Sequence, residues 1–228
     1  MNTVTGTAAG PAGRGAARPL RLAVVSAGLS VPSSTRLLAD RLGEATVKAL
    51  ESGGPAGEVR LDVIELRDLA KDIANNLVTG FPPPELDAAL EKVTGADGLI
   101  VVTPIFSASY SGLFKSFFDV VEPEALTGKP VLIAATGGSP RHSLALEHAL
   151  RPLFAYLRAV VVPTAVYAAS EDWGTGAEGS GGPLAARTAR AAGELAALLT
   201  GAGGGGRAPD AYEDLVPFAD QLAALREE

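Results

Sequence analysis

Gly98-Leu99-Ile100-Val101-Val102 is the stretch that leaves this chain the fewest options. A short, almost purely apolar run rich in β-branched residues is a strand buried on both faces, the kind found inside a parallel sheet. Thr103-Pro104 follows, and a proline without an N–H predicts that the strand stops there. A loop of small polar and aromatic residues comes next: Phe106, Ser107, Ser109, Tyr110 and Ser111. Gly112 then opens a helix whose apolar face is Leu113, Phe114, Phe117, Phe118 and Val121. A polar, aromatic loop therefore hangs from the carboxyl end of a buried strand. Open α/β sheets bind their ligands at that end.

The same unit recurs along the chain. Leu20–Val25 reads as a first strand and leads into a hydroxyl-dense loop, Ser26 to Thr35, and then a helix with Leu37, Leu38, Leu42, Ala45 and Ala49 at helical spacing. Val59–Leu66 alternates apolar and charged residues, which suits a strand at the sheet edge. The long connection Arg67–Phe81 is partly helical, closes at Pro82-Pro83-Pro84, and is followed by a short helix, Glu85–Val93. Val131–Ala135 is a fourth strand ending in Thr136-Gly137-Gly138-Ser139-Pro140. Ser143–Leu157 is an amphipathic helix that Pro152 must kink or break. Ala159–Tyr167 is a fifth strand, and Leu184–Leu199 an alanine-rich helix.

Strands alternating with helices predict a doubly wound α/β fold with a five-stranded parallel sheet in the order 2-1-3-4-5. The domain expected from this pattern spans residues 20–200. Residues 1–19, without periodicity, read as a disordered tail, and 201–228 as a glycine-rich linker and tail carrying Tyr212, Leu215, Val216 and Phe218.

Composition narrows the chemistry. The net charge of −7 argues against nucleic acid, whose phosphates need clustered Lys and Arg. No run approaches the ~20 apolar residues that cross a bilayer, and the start of the chain lacks the apolar core of a secretory signal. These features predict a cytoplasmic protein that meets neither membrane nor nucleic acid. The chain has no cysteine and two histidines, His142 and His148, so neither a thiolate nucleophile nor a histidine-rich metal site is expected. Reactive chemistry must then be supplied by a bound cofactor.

Three loops on the carboxyl rim, after the first, third and fourth strands, are rich in Ser, Thr, Gly and aromatics. Hydroxyls beside the first N–H groups of a helix make an anion site. Ser33 and Ser34 equally suit the N-cap of that helix. The first loop is neither G-x-G-x-x-G nor G-x-x-x-x-G-K-[ST]. The Thr136–Pro140 loop reads as an ordinary turn or as backbone that approaches a flat ligand.

SAGLSVPSSTR, TPIFSASYSGLFKSFFD and ATGGSPRHSLALEHALRPLFAYLRA together resemble the three cofactor segments of flavodoxin-like NAD(P)H-dependent FMN reductases, across about Leu20–Tyr167. The middle segment is the specific one. Within that family the chain is most similar to reductases that supply reduced flavin to luciferase-like flavin monooxygenases. The resemblance implies FMN and NAD(P)H as cofactors and a monooxygenase as partner. It carries phosphate contacts onto Ser26, Ser33, Ser34 and Arg36. Ring and ribityl contacts fall on Pro104, Ile105, Phe106, Ser107 and Tyr110, and on Thr136, Gly137 and Gly138. His142 is the weaker candidate for the nicotinamide. Phe106 stands where many relatives have tyrosine, and the Ala/Gly-rich ends have no family counterpart.

The implied mechanism asks for no catalytic acid or base, because hydride passes directly between two rings that the site must stack and keep dry. Two alternatives share the fold: an FMN-bound quinone, azo or metal-ion reductase, and an electron-carrier flavoprotein without NAD(P)H activity. The apolar face of the 112–121 helix, the Arg67–Phe81 connection and the tail exceed what one sheet face covers. A homodimer or tetramer is therefore expected.

Overall fold

The buried run at 98–102 is the first part of a longer strand. The computed structural model describes residues 18–53, 58–173 and 182–201, so the expected tails lie almost wholly outside the described residues. Seven strands form the sheet: β1 (Leu20–Ser26), β2 (Val59–Glu65), β3 (Gly98–Phe106), β4 (Ser109–Tyr110), β5 (Pro130–Gly137), β6 (Val160–Val161) and β7 (Val166–Ala169). The order runs β2-β1-β3-β5-β6, with β7 also on β5 and β4 on β3. All pairings are parallel except β3 with β4. The reversal between β1 and β3 is as expected, and β2 is an edge strand paired with β1.

β3 shows why two-sided burial reads as a continuous apolar run. Leu99 and Val101 face one core, with Phe114, Phe117, Ile133 and Phe154. Ile100 and Val102 face the other, with Leu38, Leu42, Leu132 and Leu195. Helices α1 (Ser34–Ser52) and α6 (Pro183–Leu199) supply the second core. The first is covered by α2 (Ala70–Thr79), α3 (Pro84–Thr94), α4 (Gly112–Asp119) and α5 (Arg151–Tyr156).

Three expectations are corrected. Pro104 does not end β3, which continues to Phe106 with Pro104 in register with Thr136. In a parallel ladder, alternate residues bond to alternate neighbours. Val102 bonds toward β1 through Ala27 N–H, so Pro104, two residues on, faces the same side, beyond the end of β1. The missing N–H therefore costs no ladder bond. The fifth strand is also not continuous. Three steps on β5, from Val131 to Ala134, match five on its neighbour, from Val161 to Val166. The surplus loops out around Pro163, which can donate no ladder bond.

The third correction concerns the phenylalanine face. Phe114, Phe117 and Phe118 are at most 2% exposed within the single chain. Phe118 packs at 4.9 Å from Phe154 and 4.8 Å from Phe114, ring centre to ring centre. That face needs no second subunit to cover it. Pro152 acts as its chemistry requires: the helix around it opens into a π turn, Leu146–Leu150, before α5.

Candidate functional site

The β1–α1 loop is shaped by its hydroxyls. Ser33 caps α1, its Oγ accepting the Arg36 N–H at 3.2 Å, while Leu37 N–H bonds to the Ser33 carbonyl. The N–H groups of Ser34 and Thr35 have no partner within the helix and mark its positive end. Gly28 leaves room for the cap here: a Cβ would lie 2.1 Å from Ser33 Oγ and would turn that hydroxyl out of its place. Thr35, 3% exposed, joins Thr136 through a 2.8 Å hydroxyl pair, tying the first loop to the end of β5.

The β3–β4 hairpin forms the second wall. Phe106 pairs with Ser109 across a two-residue turn, Ser107-Ala108, both with positive φ (48° and 66°). Paired left-handed residues give the turn that matches strand twist. Buried Thr103 steers the exit: its Oγ1 accepts Ser111 N–H at 3.1 Å, and Ser111 Oγ then caps α4 by accepting Phe114 N–H.

The third wall is the end of β5. Tyr167, on β7, donates its hydroxyl to the Ser139 carbonyl at 2.8 Å. Burial pushes the Tyr167 pKa up, which keeps that proton in place as the donor. Gly137 leaves room for the tyrosine: a Cβ there would sit 2.0 Å from the hydroxyl oxygen.

The three walls enclose a cleft of about 490 Å³ at the carboxyl ends of β1, β3 and β5. Eight candidates line it: Ser33, Ser34, Pro104, Ile105, Phe106, Thr136, Gly137 and Gly138. The others lie elsewhere. Ser26 is buried at the end of β1, its Oγ without a partner. Arg36 turns its guanidinium to Asp40 at 2.8 Å and to Glu65, and Asp40's hydrogen bond is the main cause of its raised pKa. Ser107 is exposed at the turn, Tyr110 packs on Phe114 at 5.8 Å, and His142 is exposed on a short 3-10 turn.

Leu29, Ser30, Thr35, Ser170 and Trp173 line the cleft without having been candidates. Thr35 stood in the hydroxyl-rich loop, and Trp173 is the chain's sole tryptophan. Arg41 sits 5.0 Å above the Trp173 ring, a cation–π contact. The turn holding Trp173 is fixed by Asp172, which accepts Ala169 N–H at 2.8 Å and an Arg187 N–H at 3.3 Å. Sequence spacing could not bring residues 170–173 to a site built from residues 29–35.

The cleft has two chemical ends. One carries hydroxyls and two unpaired helix N–H groups, suited to an anion. The other is bounded by Pro104, Ile105, Phe106 and the Gly137–Gly138 backbone, with open space beside Gly138. A flat ring with an anionic tail fits both, and FMN has that form.

Comparison with known proteins agrees with this chemistry. The model of the NADPH-dependent FMN reductase family matches residues 20–174. The NADH-dependent FMN reductase SfnF of Pseudomonas fluorescens is 40% identical over 184 residues, 81% of this chain and 94% of that protein. An FMN reductase (NADPH) of Pseudomonas aeruginosa is 39% identical over 155 residues, 68% and 80% of the two chains. The crystal structure of an oxidoreductase from Corynebacterium diphtheriae superposes with a TM-score of 0.74 at 48% identity, covering 81% of this chain and 99% of that one. A flavodoxin from the domain Archaea, 14% identical with a TM-score of 0.53 over 79% of this chain and 99% of its own, shares the fold alone.

Proposed function

The chain belongs to the NADPH-dependent FMN reductase family, and from that membership we propose how it works: it binds FMN loosely in the cleft, reduces it with NAD(P)H and passes the reduced flavin to a partner monooxygenase. The activity itself, NAD(P)H to FMN oxidoreduction, is that of the family. Bound FMN supplies a ring that accepts a hydride from nicotinamide. The protein's part is to hold, orient and dry that ring. Ser33 and Ser34 hydroxyls, with the N–H groups of Ser34 and Thr35, hold the phosphate. Pro104, Ile105 and Phe106 support one edge of the ring, and the Thr136–Gly138 backbone the other. Tyr167 holds the loop after β5 in place through Ser139. No side chain is required as acid or base, because the electron pair moves with its hydrogen.

The observation that carries the export reading is that the phosphate end of the cleft is lined by neutral donors. The net charge of −7 repels a phosphate further. Such a site holds FMN at about micromolar strength, roughly −8 kcal/mol. The purified protein should be largely colourless, with NADH or NADPH oxidation saturating as FMN is added. Yellow protein whose stoichiometric FMN survives dialysis would overturn export in favour of an FMN-bound quinone or azo reductase.

A homodimer or tetramer is the assembly proposed, and of the three surfaces first named for it the Arg67–Phe81 connection is the one that supports it. Val78 and Phe81 are 87% and 80% exposed at the end of α2 and the turn after it, beside half-exposed Leu77. Sedimentation should give a dimer or larger species; a fully active monomer at micromolar concentration would overturn it. The absence of a membrane-length apolar helix among the described residues is consistent with the cytoplasmic placement proposed.

A further inference from the structure

Two arginines stand behind the hydroxyl loop, and neither lines the cleft. Arg36 donates Nε to Asp40 at 2.8 Å and Nη1 to one oxygen of Glu65. Arg67 approaches the other Glu65 oxygen at 2.9 Å, and donates Nη1 to the Ser30 carbonyl at 2.9 Å. Glu65 ends β2 in register with Ser26, and its side chain is 16% exposed. One largely buried carboxylate therefore grips both guanidiniums, just behind the loop whose Ser30, Ser33 and Ser34 line the anion end.

Counting Asp40 and Asp68, two guanidiniums face three carboxylates. The cations are cancelled where they stand. Arg36 lies in the first turn of α1, three residues from Ser33, on a long side chain still 35% exposed. An unrestrained arginine there would turn to a phosphate, where a two-pronged charged hydrogen bond is strong. Arg67 is held separately by the Ser30 carbonyl, so the movable cation is Arg36.

We propose that Glu65 is an affinity-setting residue: by holding Arg36 away from the phosphate end of the cleft, it keeps FMN loosely bound and releasable. This rests on the FMN-reductase reading of the cleft and adds what tunes the flavin's escape.

The test is binding to the intact protein, followed by quenching of flavin fluorescence, with riboflavin (the same ring without phosphate) measured in parallel. Glu65→Gln should tighten FMN about tenfold, leave riboflavin unchanged and make FMN binding more sensitive to salt. In an Arg36→Met background the same substitution should shift FMN by less than about threefold, as a double-mutant cycle demands when the effect runs through Arg36. Unchanged or weaker FMN binding in Glu65→Gln overturns the proposal. So does an equal shift for riboflavin, which would make Glu65 only a shaper of the loop. If Glu65→Gln loses its circular-dichroism signature, Asp40→Asn takes its place, with about a threefold gain expected and no gain overturning the idea. Wild-type protein that binds neither flavin would bring down the cleft reading itself, a result distinct from wild-type binding without the variant's gain.

Discussion

Two loops face each other across the cleft, and they are held by opposite means. The β1–α1 loop stands on polar contacts: the Ser33 cap, the Thr35–Thr136 hydroxyl pair and the Arg67 bond to Ser30. The β3–β4 hairpin stands on a buried ring cluster, in which Phe114, Phe118 and Phe154 pack at 4.8–6.3 Å. Polar anchors of this kind are individually modest, and the charged one near solvent, Arg67 on Ser30, responds to salt. A ring cluster contributes through area and close packing, and is indifferent to salt. The difference assigns two duties: adjustable grip at the phosphate end, a fixed platform at the ring end.

The sharpest way to break this contrast is to hollow out the platform. Phe114→Ala removes a fully buried ring and should cost about 3–5 kcal/mol of stability, read as a lower urea midpoint. A loss under about 1 kcal/mol would show that the hairpin is not held from below. Next comes the opposite loop. Ser34→Ala should weaken FMN by about 1.5–3 kcal/mol, the worth of a hydrogen bond to a charged group, with the urea midpoint nearly unmoved. Ser33→Ala should weaken FMN too, but also cost about 1 kcal/mol of stability, because Ser33 caps α1. Equal behaviour of the two serines in both assays would erase the distinction between cap and ligand.

Smaller effects sharpen the comparison at the third wall. Tyr167→Phe removes the donor to Ser139 and should cost about 1 kcal/mol in urea unfolding, while raising the FMN dissociation constant only slightly. Its stability contribution has a pH sign. The folded-state pKa is raised, so the contribution is present below the ordinary tyrosine pKa and is lost as pH climbs through the folded value. Wild type and Tyr167→Phe should therefore converge in stability at strongly alkaline pH. The smallest expected effect is a gain: Ala108→Gly, at φ 66°, relieves a left-handed alanine and should stabilise the hairpin by about 0.5–1 kcal/mol. A loss there would mean that the turn's shape does not depend on backbone strain.

The strands were legible because two-sided burial leaves a mark in sequence. Gly98–Val102 and Val131–Ala135 are apolar at every position because both faces meet a core. The split of the last strand was not legible. Val160 to Tyr167 has valine on both sides of Pro163, and only pairing with β5 reveals the two-residue surplus around that proline. Pro104 misled for a related reason: a missing N–H matters only if a neighbour strand lies on that side, and β1 ends first.

The sequence by itself determined the alternation of strands and helices and the three hydroxyl- and glycine-rich rims, since these follow from local composition and period. It also supplied eight of the residues that line the cleft, which fall within contiguous loops. Tertiary structure alone decided which neighbours those loops have. It placed Trp173 and Ser170 on the same cleft as Ser33, bonded Tyr167 to the Ser139 carbonyl, and brought Glu65 of the edge strand onto Arg36. Arg36 looks like a phosphate ligand in sequence because its position on the first turn of a helix is a local fact. Whether its charge is free to act depends on a carboxylate twenty-nine residues away, and electrostatic pairing follows distance in space rather than along the chain.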